Sequence, residues 1–144
     1  MITAEAVLDM LTEVDLNTER GVRSLRLIEL RPHSVPWSSI AGFSAKLGVE
    51  SAMLLQIIGI PERTAVRRKA EGFLKIDEAD RLLRVARVFE EASRVFGDEG
   101  RAAGWLKHPS PFLYDVAPLS LLDCDAGAQA VSEELGRIEY GEFA

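Results

Sequence analysis

The sequence predicts an all-α fold, and three observations carry the prediction. Apolar residues recur three and four positions apart in one segment after another, and proline and glycine fall where helices would start and stop. The stretch IDEADRLLRVARVFEEASRVFG, Ile76 to Gly97, sustains a helical pattern without a break. With 144 residues and 47% hydrophobic content the chain can bury a proper core. No apolar run approaches a membrane span, and MITAEAVLDM lacks the basic and apolar succession of a secretory leader, so a soluble, cytoplasmic protein is expected. Cys124 alone cannot form an internal disulfide, and His33 and His108 belong to no Cys or His cluster, so neither a metal nor a cofactor is expected.

Taken in order, Thr3 precedes a stripe of Val7, Leu8, Leu11 and Val14, which predicts a short N-terminal helix before the polar run DLNTERG. Val22 to Leu30 fits a helix or an imperfect strand, with helix preferred, and Pro32 ends it in either case. Pro36 suits a first helical position, and Trp37, Ile40, Ala41 and Ala45 mark a buried face as far as Gly48. The segment ESAMLLQIIGIPERTAVRRKAEGF then predicts two helices at a tight turn. The first, from Glu50 to Ile58, presents Leu54, Leu55 and Ile58. Gly59 supplies a positive φ, and Pro61 starts a second helix running to Glu71 and Gly72.

This is a helix-turn-helix arrangement over about residues 50 to 72, whose second helix would enter a DNA major groove by its N-terminal residues. That helix carries Arg63, Arg67, Arg68 and Lys69 against Glu62 and Glu71. Glu62, Arg63 and Arg67 are placed to reach base edges, and Thr64, Arg68 and Lys69 to meet phosphates. The plainer alternative is a solvated basic face. Leu55 stands where such motifs usually want a small residue, which predicts an unusual interhelical angle.

The long helix near residues 77 to 96 is expected to be capped by Asp77, with Glu78 and Asp80 in its first turn and Arg94 and Gly97 at its end. Leu82, Ala86 and Phe89, beside Val85, Val88, Ala92, Val95 and Phe96, give it a wide buried arc. Asp77 with Arg81, Asp80 with Arg84 and Glu90 with Arg94 read as a solvated face of pairs four residues apart. The row Arg81, Arg84 and Arg87 reads as surface support. DEGRAAGWLKH predicts a further helix with Ala102, Ala103, Trp105 and Leu106 inward, broken by Pro109 and Pro111. Phe112, Leu113, Leu119 and Leu122 should pin the following connection to the core, and Asp123 offers a cap for a last helix with Ala128, Val131, Leu135 and Ile138 on one face. In the terminal GRIEYGEFA, Ile138, Tyr140 and Phe143 are apolar or aromatic where an idle end is usually polar, which suggests docking.

Charge divides the chain. Residues 1 to 96 hold 14 Lys/Arg and 14 Asp/Glu, whereas residues 97 to 144 hold 3 and 9, so the whole excess of −6 lies in the last third. Basic patches in the front can meet DNA, and the acidic rear would be repelled by phosphate. The two parts are expected to face different partners.

GIPERTAVRRK, DEADRLLRVARVFEEASRVFGDEGRAAGWL, PLSLLDCDAG and LGRIEYGEFA stand in an order and spacing that resemble the Xre-type antitoxins of toxin–antitoxin modules whose toxin carries a RES domain. The resemblance runs from Ile60 to Ala144, and the front third matches only loosely. It implies residues 1 to 75 as a helical region for DNA binding and self-association, and residues 76 to 144 as a toxin-binding domain. Toxins of this group are similar in fold to ADP-ribosyltransferases and act on NAD. The antitoxin is not the enzyme: it is expected to cover the toxin with its C-terminal end at the NAD pocket, and to bind its own operon's promoter through the helix-turn-helix. The implied partners are a RES-domain toxin, operator DNA and a second copy of the chain, in a homodimer and a larger hetero-oligomer with toxin. The implied toxin-binding residues are Arg137, Ile138, Glu139, Tyr140, Gly141 and Phe143. Arg137 is the candidate for the deepest polar contact, against the plainer reading that it ends the last helix favourably.

Two departures stand out. Leu113, Tyr114 and Asp115 replace a Leu-Gly-Gly turn, and Cys124 replaces a threonine whose hydroxyl is a better cap acceptor than a thiol, with Asp123 or Asp125 as substitutes. One rival reading is a transcriptional regulator whose C-terminal domain senses a ligand or dimerises; no polar pocket cluster supports a sensor. An enzyme is not expected: Asp123 and Asp125 work against a thiolate at Cys124 and no histidine lies nearby in sequence, capping explains Asp77, Glu78 and Asp80, and His108 reads as a helix-end residue.

Overall fold

The computed structural model describes residues 35–141. The expected helix around Val7 to Val14, the segment Val22 to Leu30 and Phe143 lie outside the described residues. Among the described residues six α-helices follow one another: α1 Ser38–Leu47, α2 Ser51–Ile57, α3 Glu62–Glu71, α4 Ile76–Phe96, α5 Glu99–Lys107 and α6 Asp125–Glu139. Two 3₁₀ turns, Pro111–Leu113 and Pro118–Leu121, lie between α5 and α6. The described residues form no strand, only the isolated bridges Pro36 to Phe73 and Ser110 to Val116.

The front of the molecule is set by α1, whose buried face is Ser39, Ile40, Phe43, Ser44 and Leu47. Ala41 and Ala45, expected inside, are exposed. An alanine fits either face, whereas Ile40, Phe43 and Leu47 each bring enough apolar area to decide which side turns inward. The helix also begins at Ser38 rather than at Pro36, because the chain there is tied to the end of α3: the Trp37 amide donates to the Gly72 carbonyl at 2.9 Å and the Leu74 amide to the Val35 carbonyl at 3.0 Å. α2 and α3 are joined as expected by Gly59 at φ 71°, a conformation that ordinary residues resist. Leu54, Ile58 and Ile60 are buried on this turn, and Leu55 is half-buried.

The long helix α4 is the common wall of both halves. Ala79, Leu82, Leu83, Val85, Ala86, Val88, Phe89 and Ala92 are buried along it, and the Phe43 and Phe89 rings meet edge-on at 5.8 Å, joining α1 to α4. α5 and α6 pack on the same helix. Its cap differs from expectation: the N-cap is Lys75, and the Glu78 carboxylate accepts the Lys75 amide at 2.8 Å. Asp77 instead pairs with Arg81 at 3.4 Å. The expected solvated face is in part a seam, because Arg84 reaches Asp125 of α6 at 2.9 Å and Arg94 reaches Glu139 of α6. Glu91 accepts the Ser132 hydroxyl at 2.8 Å along the same line. Once α6 lies against α4, these guanidinium groups find carboxylates across the seam.

α5 is capped by Asp98, whose carboxylate accepts the Arg101 amide at 2.8 Å, and it buries Ala102, Ala103 and Leu106. Trp105 is half-buried against Phe96. In the connection that follows, Leu113, Leu119 and Leu122 are buried, but Phe112 is 63% exposed, against the expectation that it would help to pin the loop. The cap of α6 is Cys124 rather than Asp123: its sulfur accepts the Gly127 amide at 3.4 Å. The thiol thus fills the position of the threonine hydroxyl, as a weaker acceptor.

Candidate functional site

Two surfaces qualify, one on α3 and one at the end of α6. On α3, Glu62, Arg63, Arg67 and Lys69 are exposed and Thr64 is half-exposed. Arg63 and Arg67 are one turn apart, so they share a face. Val66, absent from the sequence-based candidates, is 69% exposed beside them, and an aliphatic group there suits a thymine methyl. Arg68 is placed differently from the rest. Its side chain is 6% exposed and donates to the Glu78 carboxylate of α4 at 2.7 Å, with Glu71 at 3.5 Å, so it is turned into the fold and not toward solvent. The hydrogen bond to Glu78 holds the Arg68 guanidinium above its ordinary pKa, against the opposing effect of burial. The exposed surface of α3 therefore offers the cations of Arg63, Arg67 and Lys69 against the carboxylates of Glu62 and Glu71.

The turn ahead of α3 is fastened to the long helix as well. Arg81 Nε donates to the Ile58 carbonyl at 2.5 Å, meeting one of the carbonyls that the end of α2 leaves without an intrahelical partner. Arg68 reaches from α3 to α4 and Arg81 reaches back from α4 to the turn, so the basic face is presented on a fixed support.

At the other surface, Arg137 is held by its own helix. It donates to Glu134 twice, at 2.9 and 2.6 Å, and its guanidinium lies 3.8 Å above the Phe112 ring. Glu134 is buried, so Arg137 neutralises a carboxylate that would otherwise lie inside unpaired. Glu139 faces Arg94, whose guanidinium this hydrogen bond holds above its ordinary pKa. Ile138 is half-buried, Tyr140 is 80% exposed and Gly141 adopts φ 63° just past the helix. Of the six residues expected here, Tyr140 is the large side chain directed to solvent, and Phe143 lies outside the described residues.

Next to this end stands a loop whose conformation the sequence leaves open. Tyr114 and Asp115 have φ 58° and 60°, the left-handed region that costs a non-glycine residue roughly 1 kcal/mol each. Two side chains therefore occupy a turn suited to two glycines, and Tyr114 is 93% exposed while doing so. Among the described residues, no cluster of His, Cys, Asp and Glu is placed to hold a metal ion.

A Gly-turned helix pair with a basic outer face, carried on a long helix that also supports a second helical unit, defines a helix-turn-helix protein with an appended binding domain. Residues 26–87 match the antitoxin Xre-like helix-turn-helix domain, and residues 91–141 match the antitoxin Xre/MbcA/ParS C-terminal toxin-binding domain. The chain belongs to this antitoxin family. It is 36% identical over 98 residues to an antitoxin Xre of Yersinia enterocolitica, covering 67% of this chain and 66% of the relative. It is 41% identical over 90 residues to an antitoxin Xre of Photorhabdus laumondii, covering 61% of each, and 36% identical over 83 residues to one of Pseudomonas putida, covering 57% and 52%. The chain thus spans between about half and two thirds of the length of these relatives. No described helix is long and apolar enough to cross a membrane.

Proposed function

We propose that this chain is the antitoxin of a type II toxin–antitoxin pair, and that it neutralises a RES-domain toxin acting on NAD by covering the toxin's active site with its C-terminal end. The observation that carries the reading is the match of residues 91–141 to a toxin-binding domain, on a part of the chain that ends in exposed aromatic surface. The acidic last third complements a cleft built for a dinucleotide's phosphates. Residues 76 to 144 form the toxin-binding part and residues 1 to 75 serve DNA binding and self-association in a cytoplasmic homodimer, with α4 supporting both. The chain itself turns nothing over. Since the Arg137 fork is already filled by Glu134, the toxin first meets Ile138, Tyr140, Gly141 and Phe143, and Arg137 acts by holding this end in place.

Deleting Tyr140–Ala144 tests the reading while leaving α6 whole. The truncated chain should fold with an unchanged helical circular dichroism spectrum yet fail to protect cells that express the toxin. Full protection by the truncated form would sink the proposal.

α3 supplies the second activity, binding of the operon's own promoter. Glu62, Arg63 and Arg67 reach base edges, and Thr64 and Lys69 the phosphates. The pair Arg63→Ala and Arg67→Ala should weaken promoter binding and relax its sequence preference, and Lys69→Ala should lower the slope of log affinity against log salt by up to about 0.9, one phosphate being left without its cation. Gel shifts that stay unchanged across a salt series would remove α3 from the groove.

A further inference from the structure

The segment from Ser110 to Val116 closes tightly on itself. The Leu113 and Asp115 amides both donate to the Ser110 carbonyl, at 3.0 and 2.9 Å, and the Ser110 amide donates to the Val116 carbonyl at 3.1 Å. Leu113 is buried beneath it, so the loop is anchored from below. On this fixed frame the chain holds Tyr114 and Asp115 in the left-handed region in succession, and the Tyr114 ring stands in solvent at 93% exposure. Phe112, 63% exposed, carries the Arg137 guanidinium over its ring, which links the loop to the end of α6. A scattered exposed apolar residue is ordinary, but three large aromatics, Phe112, Tyr114 and Tyr140, stand out of one acidic third of the chain, inside the match to a toxin-binding domain.

We propose that the loop Phe112–Asp115 is a second contact surface for the toxin, with Tyr114 as the anchoring side chain that selects it. The inference rests on the antitoxin reading above and adds a surface to it. An aromatic side chain has few rotamers to lose, and a loop closed by backbone hydrogen bonds keeps its place before the partner arrives, so the ring is prepared to enter an apolar slot. Asp115 beside it requires that slot to carry a basic or amide group at its rim on the toxin. The strain gives the proposal an unusual test, because the substitution that takes away the ring also relaxes the backbone.

The full chain is titrated with the RES-domain toxin that the proposed function pairs with it, carried as a catalytically inactive variant, and Tm is recorded for each antitoxin variant. Tyr114→Gly should hold or raise Tm while weakening binding at least about tenfold, as expected for loss of a buried aromatic anchor. Tyr114→Phe should keep most of the affinity. Asp115→Gly, which relaxes the same turn without removing the ring, should bind within about twofold of the unaltered chain. Tyr114→Gly binding within about twofold would overturn this inference and leave the antitoxin reading standing. Failure of the unaltered chain to bind would overturn both.

Discussion

Gly127→Ala should lower Tm by about 10 °C or more, while Gly104→Ala should raise it by a few degrees, although both glycines lie within helices. A Cβ at Gly127 would stand 1.7 Å from the Leu121 carbonyl oxygen and 2.7 Å from its carbon. Those are backbone atoms of the Pro118–Leu121 turn, not the free end of a side chain, so α6 must move away from the turn or the turn must unwind. Either movement opens the packing that buries Leu119, Leu122 and Val131 and lengthens the Gly127 amide to Cys124 sulfur cap. Overpacking of this kind costs on the order of 3 kcal/mol. At Gly104 nothing lies within 4 Å of the added methyl, so alanine contributes only its better helix propensity, about 0.5–1 kcal/mol. Thermal unfolding followed by circular dichroism decides both. A Gly127→Ala protein as stable as the parent would mean that α6 does not sit on the turn as closely as described. The final glycine of PLSLLDCDAG is thereby explained by space: the last helix can approach the connection only where a side chain is missing.

How much of this is legible in the sequence depends on whether a residue's own bulk or a distant partner decides its place. The helices are legible because Leu82, Ala86 and Phe89, or Val131 and Leu135, leave one periodic choice. The phase of α1 is not, because Ala41 and Ala45 carry too little area to choose a face, while Phe43 and Leu47 do choose it. Caps shift by one or two residues, to Lys75 from Asp77 and to Cys124 from Asp123, since the entry direction of the chain is set by tertiary contacts rather than by the best local acceptor. Phe112 has the apolar character of a core residue, but its neighbour Leu113 fills the core and the turn leaves Phe112 outside. Arg68 is the instructive case among the expected DNA contacts. Its position three residues after the buried Ala65 puts it on the inner face of α3, a signal that the basic run RRK obscures.

Arg68→Met should lower Tm by about 10 °C or more, and adding Glu78→Gln should recover most of the loss. In the parent, Glu78 is 4% exposed and accepts from both Arg68 Nε and the Lys75 amide. Removing the guanidinium leaves a carboxylate inside the fold with one neutral donor, the arrangement that burial penalises most. Glutamine at position 78 removes that charge but keeps an acceptor for the Lys75 amide, and methionine at 68 keeps the bulk of the arginine stem, so the pair restores packing without the ions. The double-mutant cycle then separates two meanings of the pairing. A large coupling between positions 68 and 78 makes the ion pair the fastening between α3 and α4; strictly additive losses would assign its effect to packing. DNA binding supplies an independent check. Because Arg68 is turned inward, the double variant should keep the salt slope of the parent promoter complex, whereas loss of Lys69 should reduce it. A slope reduced as much by the double variant as by Lys69→Ala would return Arg68 to the phosphate backbone and require α3 to rotate about its axis when it binds.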